Sequence, residues 1–182
     1  MTQTPPQAVL LVDGYNIIGA WPYLKRIRDT DGLEASRWQL VEALVNYSAF
    51  QGFATQVVFD AQYQNTCSNQ EVITQNLSVY YTEFGQTADT YIEKICAARP
   101  YPHRSHLFRL IVATSDRAQQ LTVMGYGAEW LSAQQLYYDV EATAVRVRNK
   151  NKIRKQSSSS RFLANSIDAK ARQRLAELRM GL

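Results

Sequence analysis

Cysteine is scarce in this chain of 182 residues, where Cys67 and Cys96 are the full complement. They sit in no CxxC or other metal-ligand spacing and make no disulfide framework, which points to a reducing compartment. Long apolar runs are missing as well. The longest is far too short to cross a bilayer, and the opening MTQTPPQ lacks the basic segment of a signal peptide, so a soluble, cytoplasmic protein is expected. Histidine is equally rare. His103 and His106 stand three apart in YPHRSH with no cysteine or carboxylate beside them at ligand spacing, and they read as loop residues rather than a zinc site. Gly14 and Gly19 have the spacing of a phosphate-binding loop, yet Ala20 and Trp21 occupy the places of its lysine and its serine or threonine. Tyr15 stands where an aspartyl-phosphate phosphatase needs its second aspartate.

What the chain does have is apolar content of 46%, enough for a core, and a length suited to one ordinary domain with an appendage. Its net charge of +4 is unevenly spread. Residues 1–145 carry nine Lys/Arg against fourteen Asp/Glu, a balance of −5, and residues 146–182 carry eleven against two, a balance of +9. The boundary therefore falls between a mildly acidic body, 1–145, and a basic tail, 146–182. That asymmetry fits a polyanionic partner.

Along the body, short apolar runs alternate with helical patterns. Val9–Val12, Thr55–Phe59, Ser78–Tyr81, Leu107–Ala113 and Ala128–Leu131 read as strands. Leu33–Phe50 has apolar residues at a 3.6-residue spacing, and further helices are expected from the Thr87 cap through Ala97, after Asp116 to about Met124, and from the Ser132 cap onward. Gln62–Asn76 reads as a long polar loop. Such alternation implies a central parallel sheet with helices on both faces. In the tail, Ser157–Ser160 reads as a flexible linker. Beyond it, Ile167, Ala171, Leu175 and Leu178 share one face of a short amphipathic helix. That face is narrow and lacks Trp or Phe, which disfavours membrane association.

The first four of these strand runs each lead to an aspartate. Asp13 follows the first, Asp60 the second and Asp116 the fourth, while Asp89 opens the helix after the third. Ligands of open parallel sheets sit outside the carboxyl ends of the strands, so all four should face one edge. Singly, Asp13 and Asp60 serve equally well as turn residues, and Asp89 and Asp116 as charges at helix N-termini. Together they repel unless a cation neutralises them, and oxygen ligands suit Mg²⁺ or Mn²⁺. Glu93 lies one helical turn after Asp89. Asn16 reads either as a turn amide or as a group orienting a carboxylate or phosphate, and Arg117 either as a phosphate ligand or as the salt-bridge partner of Asp116. Some of the tyrosines, Tyr15, Tyr63, Tyr80 and Tyr81 among them, have the ring chemistry to stack on bases.

The stretches LLVDGYNIIGAW, VVFDA, TADTYIE (Thr87–Glu93) and VATSDRAQQ resemble those of NYN-domain proteins in the PIN-like nuclease superfamily, in particular the YacP-like branch. The resemblance runs from about Val9 to Leu136. It implies a PIN-like α/β/α sandwich and a metal-dependent endoribonuclease, with Asp13, Asp89 and Asp116 as catalytic metal ligands and Asn16, Asp60, Glu93, Ser115 and Arg117 in support. The expected reaction is water attack on a backbone phosphate, leaving a 5′-phosphate and a 3′-hydroxyl. RNA is the expected partner, structured or ribosome-associated, gripped by Arg146, Arg148, Lys150, Lys152, Arg154 and Lys155; neither a membrane nor a small-molecule cofactor is expected. The rival reading is a non-catalytic RNA- or ribosome-binding module of the same fold, which a complete acidic set argues against.

Overall fold

Strand β1 (Ala8–Asp13) is buried along almost its whole length, as a parallel strand covered on both faces must be. The structure, a computed structural model, describes residues 5–60, 69–98 and 109–166, with backbone alone beyond residue 152. After β1 come α1 (Gly14–Ala20), α2 (Pro22–Asp31), α3 (Leu33–Gln51) and β2 (Phe53–Phe59). These are followed by β3 (Asn69–Thr74), β4 (Leu77–Tyr81), α4 (Ala88–Ala97) and β5 (Arg109–Ala113), and then by α5 (Arg117–Gly125), β6 (Glu129–Leu131) and α6 (Ala133–Ser166).

The strands form one sheet in the order β3-β4-β2-β1-β5-β6. Val12 faces Val57 on one side and Ala113 on the other, and every described pairing is parallel except β3 with β4. Alternate residues of each strand feed two apolar layers. Leu10, Val12, Val57 and Phe59 pack with Ile17, Trp21, Leu24, Leu40, Leu44 and Leu136 of α1, α2, α3 and α6. On the opposite face Leu11, Val58 and Val112 pack with Ile92, Cys96 and Val123 of α4 and α5. The result is the α/β/α sandwich expected from the sequence.

Two helices were not legible in the sequence. Helix α1 starts directly at Gly14, capped by the Asp13 side chain, which accepts the Asn16 N–H. Gly14 is required there because a Cβ would overlap the Phe59 ring. The following Trp21 is 1% exposed and its indole N–H donates to the Ala133 carbonyl at 2.8 Å, which ties the start of α2 to the start of α6.

Two expectations need correction. The expected loop 62–76 contains strand β3, antiparallel to β4 with a register shift between Val72 and Thr74; residues 61–68 lie outside the described residues, as do Cys67, His103 and His106. The run Ser157–Ser160 is not a linker, because the backbone of α6 stays helical through Ser166. Serine in a helix is only a few tenths of a kcal/mol less favourable than alanine, so four in succession do not force a break. The amphipathic stretch from Ile167 onward lies outside the described residues.

The chain divides into two bodies, Met1–Ala144 and Val145–Leu182. In the first, α6 buries Leu136, Val140 and Thr143. In the second, Arg148, Lys150 and Lys152 are exposed on helical backbone, as is Arg146. The side chains of Arg154 and Lys155 lie outside the described residues.

Candidate active site

From β1 the chain winds outward through β2 and β4 on one side, and then returns to place β5 and β6 on the other. The winding direction therefore switches between β1 and β5, and the carboxyl end of such a switch is where open α/β sheets bind ligands. Asp13 is the last residue of β1, and Thr114–Asp116 leave β5 beside it. Asp60 leaves β2, and Asp89 stands in the first turn of α4.

Asp13 is 7% exposed. Burial pushes its carboxyl up from 3.8 to about 7, with Asp89 and Asp60 adding to the rise while the Asn16 N–H opposes it. The carboxyls of Asp13 and Asp89 share a hydrogen bond. Asp89 is raised too, first by burial and then by the charges of Asp116, Asp60 and Glu93. The acidic residues singled out in the sequence thus act on one another through a common field.

Three of these carboxylates also carry structure. Asp13 Oδ1 accepts the Asn16 N–H at 3.1 Å, and Asp116 Oδ1 accepts those of Ala118 at 2.7 Å and Gln119 at 3.2 Å. Asp60 Oδ1 accepts the N–H of Ala88, the first residue of α4. Asp13 and Asp116 cap the helices that begin just beyond their own strands, whereas Asp60 adds a bond at the start of α4, whose cap is Thr87. Among the described residues no group of three His, Cys, Asp or Glu stands placed to hold one ion. The N–H bonds turn one oxygen each of Asp60 and Asp116 toward the backbone.

Asn16 links the two sides of the switch. Its Oδ1 accepts both the N–H and the hydroxyl of Ser115 at 2.6 Å, so α1 is fastened to the β5–α5 connection that presents Asp116. Neither reading from the sequence, a turn amide or a group orienting a carboxylate or phosphate, anticipated this bond to Ser115. Arg117 is exposed at the first turn of α5, and among the described residues it forms no ion pair with Asp116.

Sequence reasoning missed a second group beside this edge. Phe59 precedes Asp60 and packs against Tyr15 at 5.1 Å between ring centroids and against Tyr81 at 5.8 Å. The Arg37 guanidinium lies over both Phe59 and Tyr81, 6.0 and 5.9 Å from the ring centres. A signal was present, since Arg37 is the sole Lys or Arg between Arg28 and Lys94. Tyr80 lies elsewhere, stacked on Tyr91 at 4.1 Å.

Carboxylates gathered at the switch point of a PIN-like α/β/α sandwich mark a nuclease-type domain. The chain belongs to the YacP-like NYN domain family, which it matches over residues 10–180. That span takes in the basic tail, beyond the limit near Leu136 expected from the motifs. The YacP protein of Bacillus subtilis strain 168 is 34% identical over 142 residues, covering 78% of this chain and 80% of its own. A crystal structure of Rae1 (YacP) from Bacillus subtilis is similar over 95% of each chain, at 30% identity and a TM-score of 0.64. A tryptophan-to-leucine variant of Rae1 is similar over 82% of this chain and 83% of that one, at 35% identity and a TM-score of 0.63. NYN domains are generally nucleases acting on RNA. Among the described residues no helix is long and apolar enough to cross a membrane.

Proposed function

We propose that this protein is a metal-dependent endoribonuclease whose reacting phosphate sits at the β1/β5 switch point. The observation that carries the reading is the pair of carboxyls of buried Asp13 and half-buried Asp89, within the field of Asp60, Asp116 and Glu93. A binding module gains nothing from acids that repel phosphate and each other. The donor set is all oxygen, which fits a hard divalent ion, Mg²⁺ or Mn²⁺. Asp13 and Asp89 would hold it, with Asp116 joining once its side chain turns toward them, since among the described residues no three such groups stand placed for one ion; Asp60 and Glu93 lie around them. Such an ion, when bound, lowers the pKa of a water and offsets charge at phosphorus.

The chain's own residues prepare that site. The Asp13 carboxyl, raised to about 7, must be deprotonated to act as a ligand, so cation binding is coupled to proton release. Asn16 fixes Ser115 and hence Asp116 relative to Asp13. Arg117, exposed beside Asp116, is placed to meet a phosphate oxygen. Water attack in line with the departing O3′ leaves a 5′-phosphate and a 3′-hydroxyl. The exposed cations Arg146, Arg148, Lys150 and Lys152, continued in sequence by Arg154 and Lys155, supply affinity for RNA in its structured or ribosome-bound forms. The cytoplasm is the matching location.

The test is a cellular RNA pool incubated with wild type or Asp89→Asn in Mn²⁺, Mg²⁺ or EDTA, with new 5′ ends mapped. New 5′-phosphate ends are expected with wild type and metal alone. The same ends from Asp89→Asn, or in EDTA, would refute the assignment.

A further inference from the structure

A cavity of about 180 Å³ opens next to the acidic edge, between α3 and the ends of β2, β3 and β4. Its lining includes Arg37, Glu34, Glu71, Phe59, Tyr81 and Trp38. A space of this size is too small for a drug-sized ligand and suits one ring system. Its chemistry is mixed in a particular way. The half-buried Tyr81 ring and the flat guanidinium of Arg37 give faces on which a ring can stack, over a floor made by the buried Phe59. Trp38, 56% exposed at the rim, adds another.

The polar groups around those faces are of both kinds. The Arg37 Nε–H is buried and has no hydrogen-bond partner, an unusual state for a donor that normally finds one. Glu34 and Glu71, both exposed at the mouth, present acceptors. A ligand that satisfies this set must be planar, must accept from a guanidinium and must donate to a carboxylate. Guanine does so: its O6 and N7 are the favoured acceptors for arginine, and its N2 amino group is a donor. Uracil can offer a carboxylate only its N3–H, and adenine and cytosine lack the O6/N7 acceptor pair.

The cavity is also joined to the reacting edge. Tyr15, two residues beyond Asp13, touches Phe59, and Phe59 touches Tyr81, so a row of rings leads from the carboxylates to the pocket. Phe59 and Asp60 are consecutive, which fixes the pocket floor and a carboxylate on one stretch of backbone. We propose that this pocket receives a guanine base of the RNA, stacked against Tyr81, Trp38 and the Arg37 guanidinium and read by Arg37 and the two glutamates, and that it thereby sets where the strand crosses the acidic edge. The proposal rests on the endoribonuclease reading for its consequence, but binding at the pocket needs no cleavage.

The test therefore begins without metal. Full-length wild type, Arg37→Gln and Glu71→Gln are titrated in EDTA with GMP, AMP, CMP and UMP, followed by tryptophan fluorescence, with Trp38→Phe identifying the reporter. GMP should quench saturably and bind at least about ten-fold more tightly than UMP, and each variant should lose about ten-fold toward GMP. Glu71 is exposed on an edge strand, so Glu71→Gln tests the pocket even where Arg37→Gln unfolds. A short oligonucleotide with one guanine, compared in EDTA with its all-uridine counterpart, separates an RNA site from a free-nucleotide site. Equal affinity for the four nucleotides, indifference of GMP binding to both variants, or no preference for the guanine oligonucleotide would each overturn the proposal. With metal added, cleavage should fall at a fixed offset from guanine in wild type and lose that offset in Glu71→Gln. No cleavage by wild type in any metal would instead overturn the nuclease reading, while the EDTA titrations still decide the pocket.

Discussion

Replacing Asp13 with asparagine should stabilise the metal-free protein while destroying its activity. Burial and the neighbouring acids raise the Asp13 carboxyl from 3.8 to about 7, so the folded protein holds this proton more tightly than the unfolded chain. That contribution to stability is fully present below about pH 4, declines as the pH rises, and is gone above about pH 7. At about 1.4 kcal/mol per pH decade, an ionised Asp13 costs the fold up to about 4 kcal/mol at pH 8.5. Asparagine has the shape of the protonated acid. Its carbonyl can accept the Asn16 N–H that Asp13 accepts at 3.1 Å, its amino group can donate to Asp89, and it caps helices as well as aspartate does. Allowing for relaxation of the buried charge, a gain of about 2–4 kcal/mol remains, or about 5–15 °C in Tm for a chain of this size. The assay is thermal unfolding of wild type and Asp13→Asn in EDTA at pH 4 and pH 8.5. The difference should be near zero at the lower pH and largest at the higher. Saturating Mn²⁺ at about 100 Kd should raise the wild-type stability by about 2.7 kcal/mol and leave the variant unmoved, and cleavage should fall by at least about a hundred-fold. A variant no more stable than wild type at pH 8.5, or a difference independent of pH, would refute the electrostatic reasoning.

Gly14→Ala should cost about 1–3 kcal/mol by overpacking, because the added methyl overlaps the buried Phe59 ring; chemical denaturation measures it, and a cost below a few tenths of a kcal/mol would contradict the packing. Asn16→Ala should lower activity and cost about 1–2 kcal/mol, whereas Asn16→Asp, which keeps an acceptor for Ser115, should retain most of the stability in melting experiments; equal losses in the two would show that the Ser115 bonds do not matter. Deleting Asn149–Leu182 removes nine of the eleven cationic residues beyond residue 145. If four of them contact phosphate, the slope of log affinity against log salt should shrink by about 3 on single-stranded RNA, with cleavage at saturating RNA preserved. An unchanged slope would remove the tail from the binding surface.

The parts of this protein legible in its sequence are those where local chemistry and the fold agree. The central strands are apolar runs because both faces of the sheet are covered, and Thr87 caps α4 because it precedes a helical pattern. The parts that were not legible are held by distant partners. Helix α1, GYNIIGA, begins with glycine and includes asparagine, a poor helix by propensity, and it exists because Asp13 caps it and Ile17 and Ile18 are buried under the sheet. Helix α2 buries Leu24 alone, and with only Tyr23, Leu24 and Ile27 as apolar side chains after Pro22 it is too short and too polar to stand out. Strand β3 is polar and leaves Val72 72% exposed; an edge strand with one paired neighbour has no need of alternation.

The carboxylates show the same division from the functional side. The alternatives to metal ligand weighed in the sequence were turn residue for Asp13 and Asp60 and helix-terminal charge for Asp116, and the structure gives each of them a bond from an N–H at the start of a helix. The two readings are compatible, because a carboxylate has two oxygens. One oxygen fixed by a helix N–H leaves the other outside that bond, and the same bond restrains the side chain. Stiffness matters for acids that repel: rotation would let them separate and relax, whereas caps oppose their moving apart. A set of acids anchored by the starts of α1, α4 and α5 therefore keeps its mutual repulsion as a property of the folded chain, available to favour a cation. Arg37 completes the contrast. Nothing in its local sequence marks it except isolation from other cations, and its meaning comes from two rings, Phe59 and Tyr81, contributed by strands that pair only after the sheet has formed.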